Sequence, residues 1–430
     1  MTRKVIVVGA GLAGLAAAQL LQRRGLQVSV LEREPRVGGR VYSQAFHGRT
    51  IECGAQFPST GYRYVPALLD EAGLLAVLCP PWAAFEREGC WHRVHQNRPI
   101  SLWSGGLLRA SEFARMGWGV ATTLRRSDVS EPASYASYAA VDSEDAKDWC
   151  TRVLGSAAAE MVFEPSVHGF YFHPLAGCSR ALLQALLSFR NSQALAVPFG
   201  WDALPRSMAA SLTVHTGSRV SAVIPRPGGV TVRVNDECLE ADAAVIATPA
   251  PIGRDILHAP TVQEQALLST CYAAAIHVAL GFAQGWHPPE ELRGVHGCLL
   301  GPDSPVAAMV VEQSRLPCPA PEVLTLMMGD AAARRLQVHS DSDVLLEVLA
   351  WLGARWPGIP GAVLSHRLHR WALAEPLSPP GRARAVQHYR STFPRGRRVV
   401  VCGDGTALPW TDGAVESGLW AASRLLEEVS

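Results

Sequence analysis

Residues 5–14 have the sequence VIVVGAGLAG, and this stretch determines the fold that we expect. The four β-branched residues at its start are typical of a central strand in a parallel sheet. The apolar residues that follow predict a helix that ends at Gly25, and a second predicted strand, 27–31, ends in Glu32. A strand, a glycine-rich turn, a helix and a second strand with a terminal acid form the dinucleotide-binding fingerprint.

The glycines and the acid of this fingerprint have separate tasks. Gly9 permits the tight turn, Gly11 lets the backbone approach a pyrophosphate, and Gly14 allows the helix to pack closely on the strand. The N-terminus of the helix faces the anion. Glu32 can accept hydrogen bonds from both ribose hydroxyls, and its charge repels a 2′-phosphate. These features alone are compatible with NAD or FAD.

The sequence that follows Glu32 distinguishes between NAD and FAD. Residues 36–40, RVGGR, follow Glu32 closely, and residues 54–57 are GAQF. Both segments resemble the flavin amine oxidase superfamily, which includes protoporphyrinogen oxidases and carotenoid- and squalene-type desaturases. The resemblance implies that Arg40 forms charge-assisted contacts with the FAD pyrophosphate and that residues 54–57 pass beside the flavin ring.

Two later blocks extend the resemblance to the middle and the end of the chain. In the family, the residue that matches Val220 meets the adenine through its backbone, although an ordinary hairpin also explains that position. Gly403 and Asp404, followed by DGAVESG at residues 412–418, resemble the C-terminal flavin motif, with Asp412 in place of the usual glutamate. The amides of residues 413–415 would lie at a helix N-terminus, which suits the N1–C2=O edge of the flavin. The predicted cofactor-binding residues are Gly9, Gly11, Gly14, Glu32, Arg33, Gly39, Arg40, Gly54, Ala55, Gln56, Phe57, Val220, Gly403, Asp404, Gly413, Ala414 and Val415.

The predicted fold class is α/β, with a glutathione-reductase-like (Rossmann-type) FAD domain and an inserted mixed α+β substrate domain that carries a helical cap. The FAD domain is discontinuous and comprises residues 1–79, 198–259 and 392–430, and the substrate domain comprises 80–197 and 260–391. In the substrate domain, the predicted strands are 274–282, 306–311 and 323–328, and the predicted helices are 107–125, 145–162 and 343–356.

Three aromatic or imidazole side chains are the candidates for the chemistry of the site. Trp371 matches a family tryptophan near the isoalloxazine, and Trp410 lies where amine oxidases place one aromatic residue of the substrate cage. His277 lies on a strand that in amine oxidases carries a lysine near flavin N5. Each of the three could instead be an ordinary core residue. His168, Tyr171 and His173 could line the substrate cavity, but our interpretation of these three is ordinary core packing.

The lysine content separates branches of the superfamily. The chain has only two lysines, Lys4 and Lys147, and neither matches the position near N5. The loop at 377–381 supplies neither a second cage aromatic nor a cysteine, so FAD is expected to be non-covalent. These departures favour a desaturase- or protoporphyrinogen-oxidase-like enzyme, or an unusual amine oxidase, over an ordinary primary-amine oxidase.

Composition excludes several other classes. A formal charge of +1 gives no general attraction for nucleic acid. The ten cysteines are scattered without metal-ligand spacing, so no metal is expected. The apolar start resembles a secretory signal, but a signal does not require glycines at fixed positions, and no stretch is long enough to span a bilayer. We therefore expect a cytoplasmic protein of unspecified oligomeric state.

Residues 107–118 are amphipathic, which is compatible with core packing, a tunnel wall or peripheral membrane contact.

The predicted function is that of a flavoprotein oxidoreductase. The flavin takes a hydride from a C–N or C–C unit of a largely apolar small molecule, and O2 is the expected electron acceptor. Within the enzyme class, the alternative is a squalene/carotenoid-type desaturase with a quinone acceptor. A non-catalytic flavin-binding protein is the alternative from a different class.

Overall fold

The computed structural model of the chain describes residues 3–189 and 191–429. Its strands alternate with helices at both ends of the chain and cluster in the middle. The strands are β1 Lys4–Val8, β2 Gln27–Leu31, β3 Ser43–Phe46, β4 Arg49–Glu52, β5 Val77–Leu78, β6 Trp82–Arg87, β7 Cys90–His95, β8 Leu195–Ala196, β9 Thr213–His215, β10 Val220–Arg226, β11 Gly229–Val234, β12 Glu237–Ala241, β13 Ala243–Ile246, β14 Tyr272–Gly281, β15 Gly297–Leu299, β16 Val306–Val311, β17 Val323–Met328, β18 Ser365–Pro376 and β19 Val399–Val401.

The α-helices flank these strands. They are α1 Leu12–Arg23, α2 Val65–Glu71, α3 Ser101–Ser104, α4 Ala110–Arg125, α5 Ala146–Val153, α6 Ser156–Ala158, α7 Glu164–Tyr171, α8 Arg180–Leu187, α9 Ala203–Ala210, α10 Ala250–Ile256, α11 Val262–Leu268, α12 Glu312–Arg315, α13 Asp330–Leu336, α14 Asp341–Arg355, α15 Arg382–Ser391 and α16 Thr411–Val429. A π-helical turn, Ala159–Phe163, joins α6 to α7.

A five-stranded sheet forms the first layer and has the order β19-β13-β1-β2-β9. All its neighbouring strands are parallel. The central strand β1 is buried because α1 and α16 pack on one face and strands β10 and β11 pack on the other, which explains its uninterrupted apolar sequence. Helix α16 packs against α1 closely: a Cβ at Gly418 would lie 2.1 Å from the Ala13 carbonyl oxygen. The predicted α/β, Rossmann-type class is confirmed.

A seven-stranded mixed sheet forms the second layer, with the order β18-β14-β17-β16-β15-β6-β7. One face of β14, including Ile276 and Val278, packs in a core cluster with α14. The next residues along the strand point to the opposite face, as pleating requires. His277 and Ala279 therefore face the antiparallel pair β3–β4, where Ala279 packs with Ile51.

The elements predicted in the second layer mostly agree with the structure. The bounds of β16 and β17 are as predicted, and β14 and α14 differ by two residues or fewer at each end. The helix predicted over 145–162 is wrong in its continuity, because Gly155 has φ +104°, a left-handed conformation that ends α5. The strands β6 and β7 lie in the segment 80–197, for which we predicted only helices.

The domain boundaries stay a prediction. Helix α15, which they assign to the substrate domain, packs through Ala383, Val386 and Tyr389 into the same core cluster as α1 and α16. In the described part of the chain, no helix is both long and apolar enough to cross a membrane.

Candidate active site

The glycine-rich turn after β1 is shaped by two close backbone approaches. Gly9 has φ +104°, which favours glycine. A Cβ at Gly14 would lie 2.0 Å from the Gly9 carbonyl oxygen, so no other residue fits there. Around Gly11, in contrast, a Cβ would have no neighbour within 4 Å. The open space at Gly11 lies at the N-terminus of α1, and it fits the pyrophosphate of a dinucleotide.

Glu32 lies beside this turn and is held in place. Its carboxylate accepts hydrogen bonds from the Ala10 amide at 2.7 Å and from the Glu34 amide at 2.9 Å. Its remaining lone pairs are available for ribose hydroxyls. Val220, the first residue of β10, packs in the same apolar cluster as Leu31. Arg33 is exposed and pairs with Glu34 at 3.0 Å, so the structure does not bring its side chain to the site.

Arg40 and Asp404 come together although they are far apart in sequence. Arg40 Nη1 lies 2.6 Å from Asp404 Oδ2 and donates to the Ala374 carbonyl at 2.8 Å. The Tyr272 hydroxyl donates to Asp404 Oδ1 at 2.9 Å, and so does the Gly405 amide at 3.0 Å. Burial acts to raise the pKa of Asp404, but the Arg40 guanidinium holds it below its usual value. Asp404 therefore stays ionised and orients Arg40.

Helix α16 begins beside this pair, with Gly413, Ala414 and Val415 in its first turn. The Asp412 carboxylate accepts hydrogen bonds from three successive backbone amides, at 2.7–2.9 Å. These amides belong to residues 63–65, at the N-terminus of α2. Asp412 thus joins the starts of two helices, a role that sequence reasoning missed.

A cavity of about 520 Å³ lies against the seven-stranded sheet, and most of the residues predicted to lie near the flavin ring line it. Its wall includes residues 54–57, Arg40, His277, Trp371 and Trp410. The indole of Trp371 donates to the Cys53 carbonyl at 2.7 Å, which fixes the plane of the ring. Trp410 packs edge-to-face against Phe189, with ring centroids 4.8 Å apart.

His277 lies in this wall as a neutral imidazole. Both its ring nitrogens are buried, and neither forms a hydrogen bond within 3.5 Å with a residue that the structure describes, although the Glu52 backbone lies close enough to favour the charged ring slightly. Burial, with smaller contributions from His369 and Arg315, lowers the pKa of His277 to about 3. Tyr171 lines the cavity too, whereas His168 and His173 are buried outside its wall. The Nδ1 atoms of these two histidines lie 2.9 Å and 3.0 Å from the backbone carbonyl oxygens of Leu300 and Pro174.

Tyr62, Phe189 and Glu375 are among the wall residues that the sequence did not predict. Tyr62 and Phe189 pack edge-to-face and continue the aromatic wall from Trp410. Glu375 lies four residues after Trp371 on β18, so its position along the strand was the only signal for it. Burial raises the pKa of Glu375 to about 8. Among the residues that the structure describes, no group of side chains is arranged to hold a metal ion.

Comparisons with known proteins agree with this geometry. The family model described as flavin containing amine oxidoreductase matches residues 12–426. The L-amino-acid oxidase of Mus musculus is 27% identical over 469 residues, which cover 98% of this chain and 70% of that protein. The carotenoid phi-ring synthase of Streptomyces griseus is 27% identical over 481 residues, covering 98% of this chain and 87% of that protein.

A solved structure confirms the similarity in fold. Cyclohexylamine oxidase from Brevibacterium oxydans matches with a TM-score of 0.79 at 18% identity, and the match covers 100% of both chains. The resemblance predicted from the sequence motifs is therefore confirmed. Because the family model spans nearly the whole chain, the protein belongs to the flavin containing amine oxidoreductase family and is an FAD-dependent oxidoreductase.

Proposed function

We propose that this enzyme oxidises a largely apolar, uncharged small molecule at a C–N or C–C unit and that O2 accepts the electrons. FAD, when bound, supplies the hydride acceptor. The turn at Gly11, the carboxylate of Glu32 and the guanidinium of Arg40 would hold its dinucleotide part. The residues that line the cavity would then bind and align the substrate.

The charge state of the cavity wall is the observation that carries this proposal. Arg40 is the one described wall residue that is charged at pH 7, and Asp404 neutralises it. Burial lowers the pKa of His277 to about 3 and that of His296 to about 4, so both imidazoles are neutral. Burial raises the pKa of Glu375 to about 8, so this carboxyl is mostly protonated.

A neutral wall selects against ionic substrates. A carboxylate moved from water into this cavity would find no free cation among the described wall residues, and an unpaired buried charge costs several kcal/mol. The aromatic wall formed by Tyr62, Phe189, Trp371 and Trp410 instead favours an apolar ring or chain. We therefore expect the substrate of this enzyme to differ from a free amino acid, which is the class of compound in the name of the mouse relative.

The wall residues have distinct expected tasks. Trp371 and Trp410 would flank the substrate and limit its orientation. His277 presents unpaired ring nitrogens, and one of them can accept a hydrogen bond from a substrate N–H or from a water molecule. No described wall residue is an ionised base, so activation must come from the substrate itself, for example from a benzylic or allylic C–H bond.

Rapid mixing under anaerobic conditions tests the proposal through the bleaching of the flavin absorbance. The matched pair is indoline and indoline-2-carboxylate, whose aryl nitrogen is uncharged at neutral pH, so the two compounds share one C–N unit and differ by one carboxylate. We expect the neutral parent to reduce the flavin at least about 10-fold more efficiently, because the carboxylate must be desolvated without a partner. Equal or faster reduction by the carboxylate would contradict the neutral-wall argument.

The same experiment separates amine oxidation from desaturation. A panel of simple monoamines and partly saturated polyenes is mixed with the enzyme, and products are identified by mass. Reduction by polyenes alone, with loss of two hydrogens at a C–C unit and slow reoxidation in air, favours a desaturase with a quinone acceptor. Fast reduction by simple monoamines would overturn the inference drawn from the missing lysine.

A further inference from the structure

Glu375 is a carboxyl group without a partner in the cavity wall. It follows Ala374, whose carbonyl oxygen accepts the hydrogen bond from Arg40 at 2.8 Å. Its own side chain lines the cavity but forms no hydrogen bond and no ion pair with any residue that the structure describes. Polar groups inside a protein are normally satisfied by such contacts, and Glu375 is only partly buried because its side chain opens into the cavity. Its carboxyl group therefore has room for a partner that the described residues do not supply.

Neither of the two cations near Glu375 forms an ion pair with it. Arg40 is paired with Asp404. Arg382 donates to the Ser378 hydroxyl at 2.7 Å, to the Ala407 carbonyl at 2.8 Å and to the Asp404 carbonyl. The other ionisable groups that interact with Glu375 are the hydroxyls of Tyr62 and Tyr171, both of which are neutral at physiological pH. An ionised Glu375 would therefore be a second carboxylate beside Asp404 with no cation of its own.

These surroundings favour the protonated form of the side chain. Burial raises the pKa of Glu375 to about 8, and Asp404 contributes in the same direction, while Arg40 and Arg382 act against it. A protonated carboxyl has one O–H donor that requires an acceptor. The group lies beside Arg40 and Asp404, two of the predicted cofactor-binding residues, and FAD presents many acceptor oxygens and a doubly charged pyrophosphate.

We propose that Glu375, in its protonated form, donates a hydrogen bond to bound FAD and that its ionisation weakens FAD binding. The role differs from that of Glu32, which is expected to accept hydrogen bonds as a carboxylate. Glu375 would add repulsion toward the anionic cofactor once it lost its proton. The proposal depends on FAD occupying this cavity and is independent of which substrate the enzyme oxidises.

Release of FAD from the intact holoenzyme tests the proposal without any substrate. The protein is diluted at a series of pH values, and free FAD is followed by its fluorescence to obtain a dissociation constant. We expect the dissociation constant of the wild type to rise about 10-fold between about pH 7 and about pH 9, because roughly nine-tenths of a carboxyl with an apparent pKa near 8 is then ionised.

Two variants decide whether Glu375 is the responsible group. Glu375→Gln keeps a neutral hydrogen-bond donor, so it should hold FAD at pH 7 nearly as well as the wild type and lose the pH dependence. Glu291→Gln, which changes an exposed glutamate, should follow the wild type. Circular dichroism at each pH confirms that the chain stays folded.

Three results would overturn the proposal. These are a wild-type dissociation constant that does not change over this pH range, a Glu375→Gln variant that keeps the wild-type pH dependence, and a folded Glu375→Gln variant that fails to hold FAD at pH 7. The wild-type titration is decisive by itself if the variant does not fold. The exclusion of carboxylate substrates rests on the lack of a free cation among the described wall residues, so it stands whichever of these results is found.

Discussion

Replacing Asp404 with Asn removes the charge that orients Arg40 while keeping the size of the side chain. In the native protein the carboxylate contacts Arg40, the Tyr272 hydroxyl and the Gly405 amide at 2.6, 2.9 and 3.0 Å. The Asp404 side chain is 7% exposed and that of Arg40 is 27% exposed. Asn can still accept the hydrogen bond from Tyr272, so the main loss is the charge pairing with Arg40.

The cost can be bounded from this geometry. Removing one partner of a fully buried ion pair costs about 3–5 kcal/mol. Arg40 is partly open to the cavity, and the hydrogen bonds from Tyr272 and Gly405 to Oδ1 can survive in the variant, so we expect a loss of about 2–3 kcal/mol in the free energy of unfolding. FAD retention should fall as well, because Arg40 is no longer held beside the site.

The pH dependence of this loss has a defined sign. The pKa of Asp404 is lower in the folded protein than in the unfolded chain. The contribution of Asp404 to stability is therefore complete above its pKa in the unfolded chain, which is about 3.9. It is lost as the pH falls through the lower pKa that Asp404 has in the folded protein. The gap between wild type and Asp404→Asn should be largest near neutral pH and should close below about pH 4.

Urea unfolding followed by tryptophan fluorescence measures this gap. Asp242→Asn is the matched control, because Asp242 is partly exposed and accepts one hydrogen bond, from the Lys4 amide at 2.7 Å. The control should change the free energy of unfolding by no more than about 0.5 kcal/mol. If Asp404→Asn is as stable as the wild type at pH 7, or if the gap widens in acid, the assigned role of Asp404 is wrong.

Three further predictions concern the cofactor and the wall. Glu32→Ala removes a charged acceptor worth about 1.5–3 kcal/mol per hydrogen bond, so it should be isolated partly without flavin and regain absorbance with added FAD; full occupancy after dilution would contradict a ribose contact. Acid precipitation should release the flavin into the supernatant, and yellow colour in the pellet would instead indicate a covalent bond. His277→Ala should slow flavin reduction about 10-fold or more with little effect on substrate binding, and an unchanged reduction rate would assign His277 to packing.

The parts of the fold that depend on local sequence could be predicted. The glycine-rich turn, Glu32 and the strands 306–311 and 323–328 follow from short-range pattern and spacing. The hairpin of β6 and β7 was missed because its alternation of polar and apolar residues is weak. In the structure, Glu88 and Gly89 both have positive φ, which is typical of a tight hairpin turn. Gly89 was the part of this turn that the sequence could have indicated.

The parts of the site that depend on distant contacts could not be predicted. Sheet pairing places His277 opposite His369, two residues from Trp371, and no local pattern contains that register. Asp412 reaches the amides of residues 63–65 across most of the chain. The state of Glu375 depends on Asp404 and on burial, neither of which is visible in the segment around it. Arg33 illustrates the opposite error, because its place beside Glu32 in sequence does not bring its side chain inward.

The order of strands in the parallel sheet has a consequence for how the protein is made. Strand β1 is synthesised long before its sheet neighbour β13, at 243–246, and longer still before the edge strand β19, at 399–401. Closing such long loops is slow, and unpaired strand edges stay exposed until it happens. The glycine-rich turn therefore exists long before α16 arrives to pack on α1 and complete the flavin side of the site. We therefore expect capture of FAD to be a late event of folding, which stabilises the completed fold by mass action.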